Sequence, residues 1–139
     1  MFMNEATKNT TGLLVKEDGT LEEVVLNTTD TGSNLDEMKR LLDVRVVECV
    51  GLPQELDCWV DEEFLLVAEP VPNLVLSVML SLMDSTNHYI CGSGLFLAVD
   101  NRTGASVSLN AEQRNRVETA HHMASKATGN GEFPVTVVD

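Results

Sequence analysis

Apolar and polar positions alternate in short runs along the chain, and polar turns separate them. Leu13 to Val15 and Leu21 to Leu26 flank Glu17-Asp18-Gly19-Thr20. An Asp-Gly pair between apolar runs predicts a hairpin. Asn27 to Ser33 reads as a loop. Leu35, Met38, Leu41 and Leu42 then recur at helical spacing, behind Ser33 or Asn34 as cap. Val44 to Val50 is β-branched and reads as a strand that turns at Gly51-Leu52-Pro53-Gln54. Leu56 to Val60 and Phe64 to Ala68 are two further strands around Asp61-Glu62-Glu63.

Leu74 to Met83 is apolar except for Ser77 and Ser81, which lie four apart and share one helical face. It predicts a buried helix, although a fully buried strand is equally apolar. Tyr89 to Cys91, Leu95 to Val99 and Ala105 to Leu109 read as strands. Asn110 with Gln113 has capping-box spacing and opens a helix to about Lys126, closed by Gly129. Phe133 to Val138 reads as a last strand or an extended tail. Strands grouped between isolated helices predict an α+β fold with a mainly antiparallel sheet and about three helices. A polar leader over residues 1–11 and a single domain over 12–139 complete the expected organisation.

Charge changes this picture. Residues 1–69 carry a net charge of −11 and residues 70–139 only −2. Such a bias repels phosphate backbones and anionic membranes and attracts basic partners, although acidity also serves solubility. The uninterrupted apolar run is about half the roughly 20 residues that span a bilayer. Neither nucleic acid nor a membrane is an expected partner. Cys49, Cys58 and Cys91 are odd in number and widely spaced, which fits free thiols in a reducing cytoplasm.

Candidate chemistry is sparse. Asp57, Asp61, Glu62 and Glu63 form the densest carboxylate cluster, with Glu22 and Glu23 as a second. Trp59 sits among these acids, either as a core residue or as an anchor for a partner. Gly92-Ser93-Gly94 can present backbone amides to an anion, but lacks the third glycine of a dinucleotide fingerprint. His121-His122 point about 100° apart on a helix, so one metal ion does not readily take both. A catalytic cysteine needs a base nearby in space, and the sequence does not place His88, His121 or His122 beside one. No catalytic residue, metal site or cofactor is expected.

Two stretches carry a resemblance. One is Trp59-Val60-Asp61-Glu62-Glu63-Phe64-Leu65-Leu66 with Val71-Pro72-Asn73-Leu74-Val75-Leu76. The other is Tyr89 to Asp100, followed by Gly104 and Ser108-Leu109-Asn110-Ala111-Glu112-Gln113. With the opening Gly12-Leu13-Leu14-Val15-Lys16-Glu17-Asp18-Gly19, they resemble the family called domain of unknown function 3846, over about residues 12–117. The usual glycine is missing from Asp61-Glu62-Glu63. The resemblance implies an origin in a phage or mobile element and action in the host cytoplasm. It supplies no activity and no catalytic residue.

The expected function is therefore that of a small acidic phage accessory protein, not an enzyme. It would bind a host protein with a basic surface, inhibiting it or a defence system, as a monomer or weak dimer. The alternative is a small-ligand or nucleotide binder that uses Gly92, Ser93 and Gly94.

Overall fold

In the computed structural model, residues 7–29, 34–63 and 69–129 are described. Nine elements follow in order: β1 (Thr7–Val15), β2 (Leu21–Thr29), α1 (Asn34–Leu42), β3 (Val47–Leu52), β4 (Leu56–Asp61), α2 (Leu74–Asp84), β5 (Gly94–Asp100), β6 (Ala105–Val107) and α3 (Ala111–Thr128). The strands form one six-stranded sheet in the order β2-β1-β5-β4-β3, and β6 lies beside the far end of β5. Every pairing is antiparallel. The fold is α+β, as expected.

Alternation along each strand loads both sheet faces. Leu13, Val15, Leu56, Cys58, Val60 and Phe96 pack with Val75, Leu76, Met79 and Leu80 of α2 and with Val117, Ala120 and Ala124 of α3. Leu14, Val24, Leu26, Leu95 and Leu97 pack with Met38 and Leu42 of α1. A fully buried side chain of this size contributes about 1.5–3 kcal/mol.

Several boundaries differ from the sequence reading. β1 begins at Thr7, inside the expected leader, because threonine suits an extended backbone; residues 1–6 lie outside the described residues. β2 runs on to Thr29. β3 begins at Val47 rather than Val44. The two runs read as strands at Phe64 to Ala68 and Phe133 to Val138 also lie outside the described residues. On α1, Leu35 is exposed and the buried face is Met38 and Leu42.

α2 is a helix, but its flank is open. Leu74 and Leu82 are 57% and 49% exposed, so the segment is not wholly inside. Tyr89 to Cys91 is not a strand. The Ile90 N–H donates to Ser77 Oγ at 2.9 Å and the His88 N–H to Ser81 Oγ at 3.1 Å. The two serines on one face of α2 thus take the backbone bonds that a sheet neighbour would have taken. Only Cys91 makes an isolated bridge, to Pro72.

The β3–β4 turn falls at Pro53 to Glu55, later than the expected Gly51 to Gln54. Gln54 and Glu55 both adopt left-handed backbone, φ 65° and 62°. Gln113 Nε2 donates to both of their carbonyls, and Arg116 Nη1 donates to the Pro53 carbonyl. The predicted capping box of Asn110 and Gln113 is complete, and α3 ends on Gly129 at φ 79°. No helix among the described residues is long and apolar enough to cross a membrane.

Candidate functional site

Antiparallel pairing brings distant segments to one end of the sheet. β1 ends at Val15 opposite Gly94, where β5 begins, and β4 ends at Asp61 opposite Val47. The β1–β2 turn therefore lies near the close of β4. α1 ends over the same region, where Asp43 takes a left-handed backbone of φ 57°.

Asn73 fixes this end. It caps α2 by accepting from the Leu76 N–H at 3.0 Å. Its Nδ2 donates to the Lys16 carbonyl at 2.9 Å and to the Gly92 carbonyl at 2.8 Å. One buried amide thus joins the β1–β2 turn, the loop before β5 and the start of α2.

A cleft of about 310 Å³ opens between these parts. Its polar lining includes the carboxylates Glu17, Asp43, Asp61 and Glu69, together with Ser93. Leu41, Leu42, Val44 and Val71 supply apolar walls. A neighbouring hollow shares Glu17, Leu41, Val71 and Ser93 and adds Lys16 and Asp18. The basic side chains nearby are engaged: Lys16 pairs with Glu22 at 3.1 Å and Arg45 with Glu63 at 2.6 Å. Among the described residues, Glu17, Asp43, Asp61 and Glu69 make no ion pair with a base. Hydrogen bonds from the Thr20 backbone and hydroxyl hold Asp18 below its ordinary carboxylate range.

Of the acids singled out in the sequence, Asp61 lines the cleft and accepts from the Glu63 N–H at 2.8 Å. Glu62 is exposed on the following turn, where its N–H donates to the Val46 carbonyl. Glu63 is held by Arg45. Asp57 and Trp59 share the sheet face of Asp61 by alternation along β4. Glu22 and Glu23 do not form one cluster: neighbours in a strand, they take opposite faces, and Glu23 meets Arg114 of α3 at 3.1 Å. Glu17, Asp43 and Glu69 were not legible as site residues. Glu17 and Asp43 follow the ends of β1 and α1, Glu69 lies in the loop before α2, and only the topology brings them together.

Trp59 is half-buried against the α1 side of the core, and its Nε1 has no hydrogen-bond partner among the described residues. The glycine segment offers an anion little. The Gly92 N–H already donates to the Val71 carbonyl at 3.0 Å, and Gly92 sits at φ 85°. Gly94 is buried in β5, where an added Cβ would lie 2.6 Å from Leu76 Cδ2. His121 Nε2 bonds the Gly19 carbonyl at 2.8 Å, and His122 is exposed on the next position. His88 Nε2 meets the Asp84 carboxylate at 2.8 Å and the Thr86 hydroxyl at 2.9 Å. Ser81 Oγ donates to the Ser77 carbonyl, so this corner holds no nucleophile–base pair.

Cys58 and Cys91 are buried, whereas Cys49 lies exposed on the outer strand β3. Partial burial of the sulfur, then the Asp57 charge and hydrogen bond, push the Cys49 thiol up to about 12. Thiolate is the reactive form, so Cys49 should alkylate slowly at pH 8. Asp57→Asn removes the charge while leaving the burial. It should speed iodoacetamide labelling of Cys49 about tenfold, one pKa unit being a tenfold change in thiolate. Equal rates in the two proteins would show that Asp57 has no hold on the thiol.

A family model described as domain of unknown function (DUF3846) matches residues 10–122. No curated protein and no solved structure matches the chain.

Proposed function

The chain belongs to the DUF3846 family, and from that premise we propose that it is a non-enzymatic protein-binding domain whose acidic end docks on a basic surface of a partner protein. One observation carries this reading: Glu17, Asp43, Asp61 and Glu69 rim a single cleft without a basic side chain to neutralise them among the described residues. Asp18 and Glu62 extend the same negative end outward. Turns and helix ends project from a rigid sheet, so these carboxylates reach a partner without unfolding anything. An origin in a phage or mobile element belongs to the same proposal, and makes the partner a host protein in the cytoplasm.

Exposed carboxylates add little to stability, since an exposed ion pair is worth about 0–1 kcal/mol. They act mainly on encounter, where complementary charge raises association rates and salt lowers them. The test is capture from host lysate, followed by binding kinetics with the captured protein. Glu17→Gln, Asp43→Asn, Asp61→Asn and Glu69→Gln combined should slow association about tenfold at low salt and flatten its salt dependence. The melting temperature should hold. Unchanged kinetics would overturn the proposal and move the contact to an apolar surface, such as that around Trp59.

The cleft itself favours one second reading, a small ligand. Its volume of about 310 Å³ is at the lower end of ligand pockets. Four acids beside Gly92 and Ser93 would favour an organic cation over the anion that the glycines alone suggested, since they do not converge as a metal site among the described residues.

A further inference from the structure

β2 is the outermost strand of the sheet and pairs with β1 over its full length without a bulge. The register shows which of its backbone groups face outward. The Lys16 N–H donates to the Thr20 carbonyl. Bond-exchanging pairs then alternate, so even-numbered residues of β2 bond to β1. On β1 the odd-numbered residues face the other way: Thr11 accepts from the Leu109 N–H and donates to Ser108 Oγ. Leu21, Glu23, Val25, Asn27 and Thr29 therefore turn their N–H and C=O groups to the open edge.

Edges of this kind are ordinarily shortened, bulged or broken by proline. β2 is nine residues long and has neither bulge nor proline. Its guards among the described residues are its own charged Glu22 and Glu23 and the Glu37 carboxylate of α1, held by Arg40 within reach of the Asn27 N–H.

We propose that β2 pairs antiparallel with β2 of a second copy of this chain, about a two-fold axis through Val25. The register argues for a copy. Centred on Val25, Val24 lies opposite Leu26, Glu23 opposite Asn27 and Glu22 opposite Thr28. No acid faces an acid, and the apolar centre meets itself, which is the favourable cross-strand arrangement. Centring on Glu23 would set that carboxylate against its own copy and shorten the ladder. Val25 is 43% exposed at the middle of the edge, free to make the central contact. A two-fold axis normal to the sheet keeps α1 of both copies on one face and continues the sheet across the dimer. Glu37 must release Asn27 for the ladder to close, so it sets the strength of the dimer.

Sedimentation equilibrium of the full chain at 0.1 M and 1 M salt tests this. Each copy carries −13, so association should strengthen about tenfold at 1 M, where the Debye length falls from about 10 Å to about 3 Å. Docking on a basic partner has the opposite salt dependence, so the two proposals fail separately. Glu37→Ala should tighten the dimer. Val25→Glu should weaken it at least about tenfold at an unchanged melting temperature, by setting two carboxylates across the axis. Val25→Pro removes an outward N–H, takes no hydrogen bond from the β1 pairing and should abolish association. A monomer for both wild type and Glu37→Ala at 1 M salt overturns the proposal, and amide protection of Glu23 and Val25 in that monomer would assign the edge to the chain itself. A dimer indifferent to both Val25 variants would also overturn it, placing the contact elsewhere, as on Leu74 and Leu82 of α2.

Discussion

Asn73→Ala should destabilise the protein by about 3–5 kcal/mol, far beyond the loss of an ordinary surface amide. Asn73 is 1% exposed and uses both ends of its amide. The substitution leaves the Gly92 carbonyl and the Leu76 N–H without partners and takes one of two donors from the Lys16 carbonyl, which keeps the Gly19 N–H. Each buried orphan costs about 1–3 kcal/mol, loss of the helix cap is one of these two, and the weakened Lys16 carbonyl adds to them. Two controls separate the parts. Asn73→Ser keeps a cap acceptor and should recover about 1 kcal/mol of the loss. Asn73→Asp keeps the cap but turns a carboxylate oxygen toward two carbonyls, so it should fare little better than alanine. Urea denaturation reads all three. A loss below about 1 kcal/mol for Asn73→Ala would mean that water replaces the amide, and that the junction is not held as described. The consequence for the site is direct, because the same amide ties the turn bearing Glu17 to the loop bearing Ser93.

Local chemistry made much of the fold legible. Asp18-Gly19 marked the first hairpin because Gly19 takes a left-handed backbone at φ 91° and Asp18 binds the Thr20 N–H. Asn110 and Gln113 marked the start of α3 because the capping box is a contact between near neighbours. The misreadings arose where distant side chains override local pattern. Tyr89-Ile90-Cys91 has a strand's composition, but two serines of α2 hold its backbone. Gln54 and Glu55 lack the glycine that advertises a left-handed turn; side chains of α3, nearly sixty residues on, hold that conformation. The site divides in the same way. Asp61-Glu62-Glu63 stood out because its acids are contiguous. Glu17, Asp43 and Glu69 converge only because β1 and α1 end, and the loop into α2 runs, on the same side.

The seam between β1 and β5 sets how firmly that convergence is held, and Gly12→Ala should open it at a cost of about 3 kcal/mol. Gly12 lies in β1 opposite Val24. A Cβ there would fall 2.7 Å from the Phe96 carbonyl oxygen and 2.7 Å from Leu97 Cδ2. The Leu97 methyl can turn aside. The carbonyl cannot, because β5 is paired on one side to β1 and on the other to β4. Relief must come from β1 lifting away, which loosens the strand that carries Glu17 and Asp18. Gly94→Ala makes a useful contrast. Its added methyl would meet the ends of side chains, Leu76 Cδ2 at 2.6 Å and Cys58 Sγ at 3.1 Å, rather than backbone. Leu76 can shift, so the cost should be smaller, about 1–2 kcal/mol. Hydrogen exchange should show Leu13 and Val15 amides opening faster in Gly12→Ala, with the α2 amides changed less. Thermal melts should rank Gly12→Ala below Gly94→Ala and both below wild type. The reverse ranking would show that the carbonyl yields more readily than the leucine, and that β5 is not the rigid centre on which the acidic end is built.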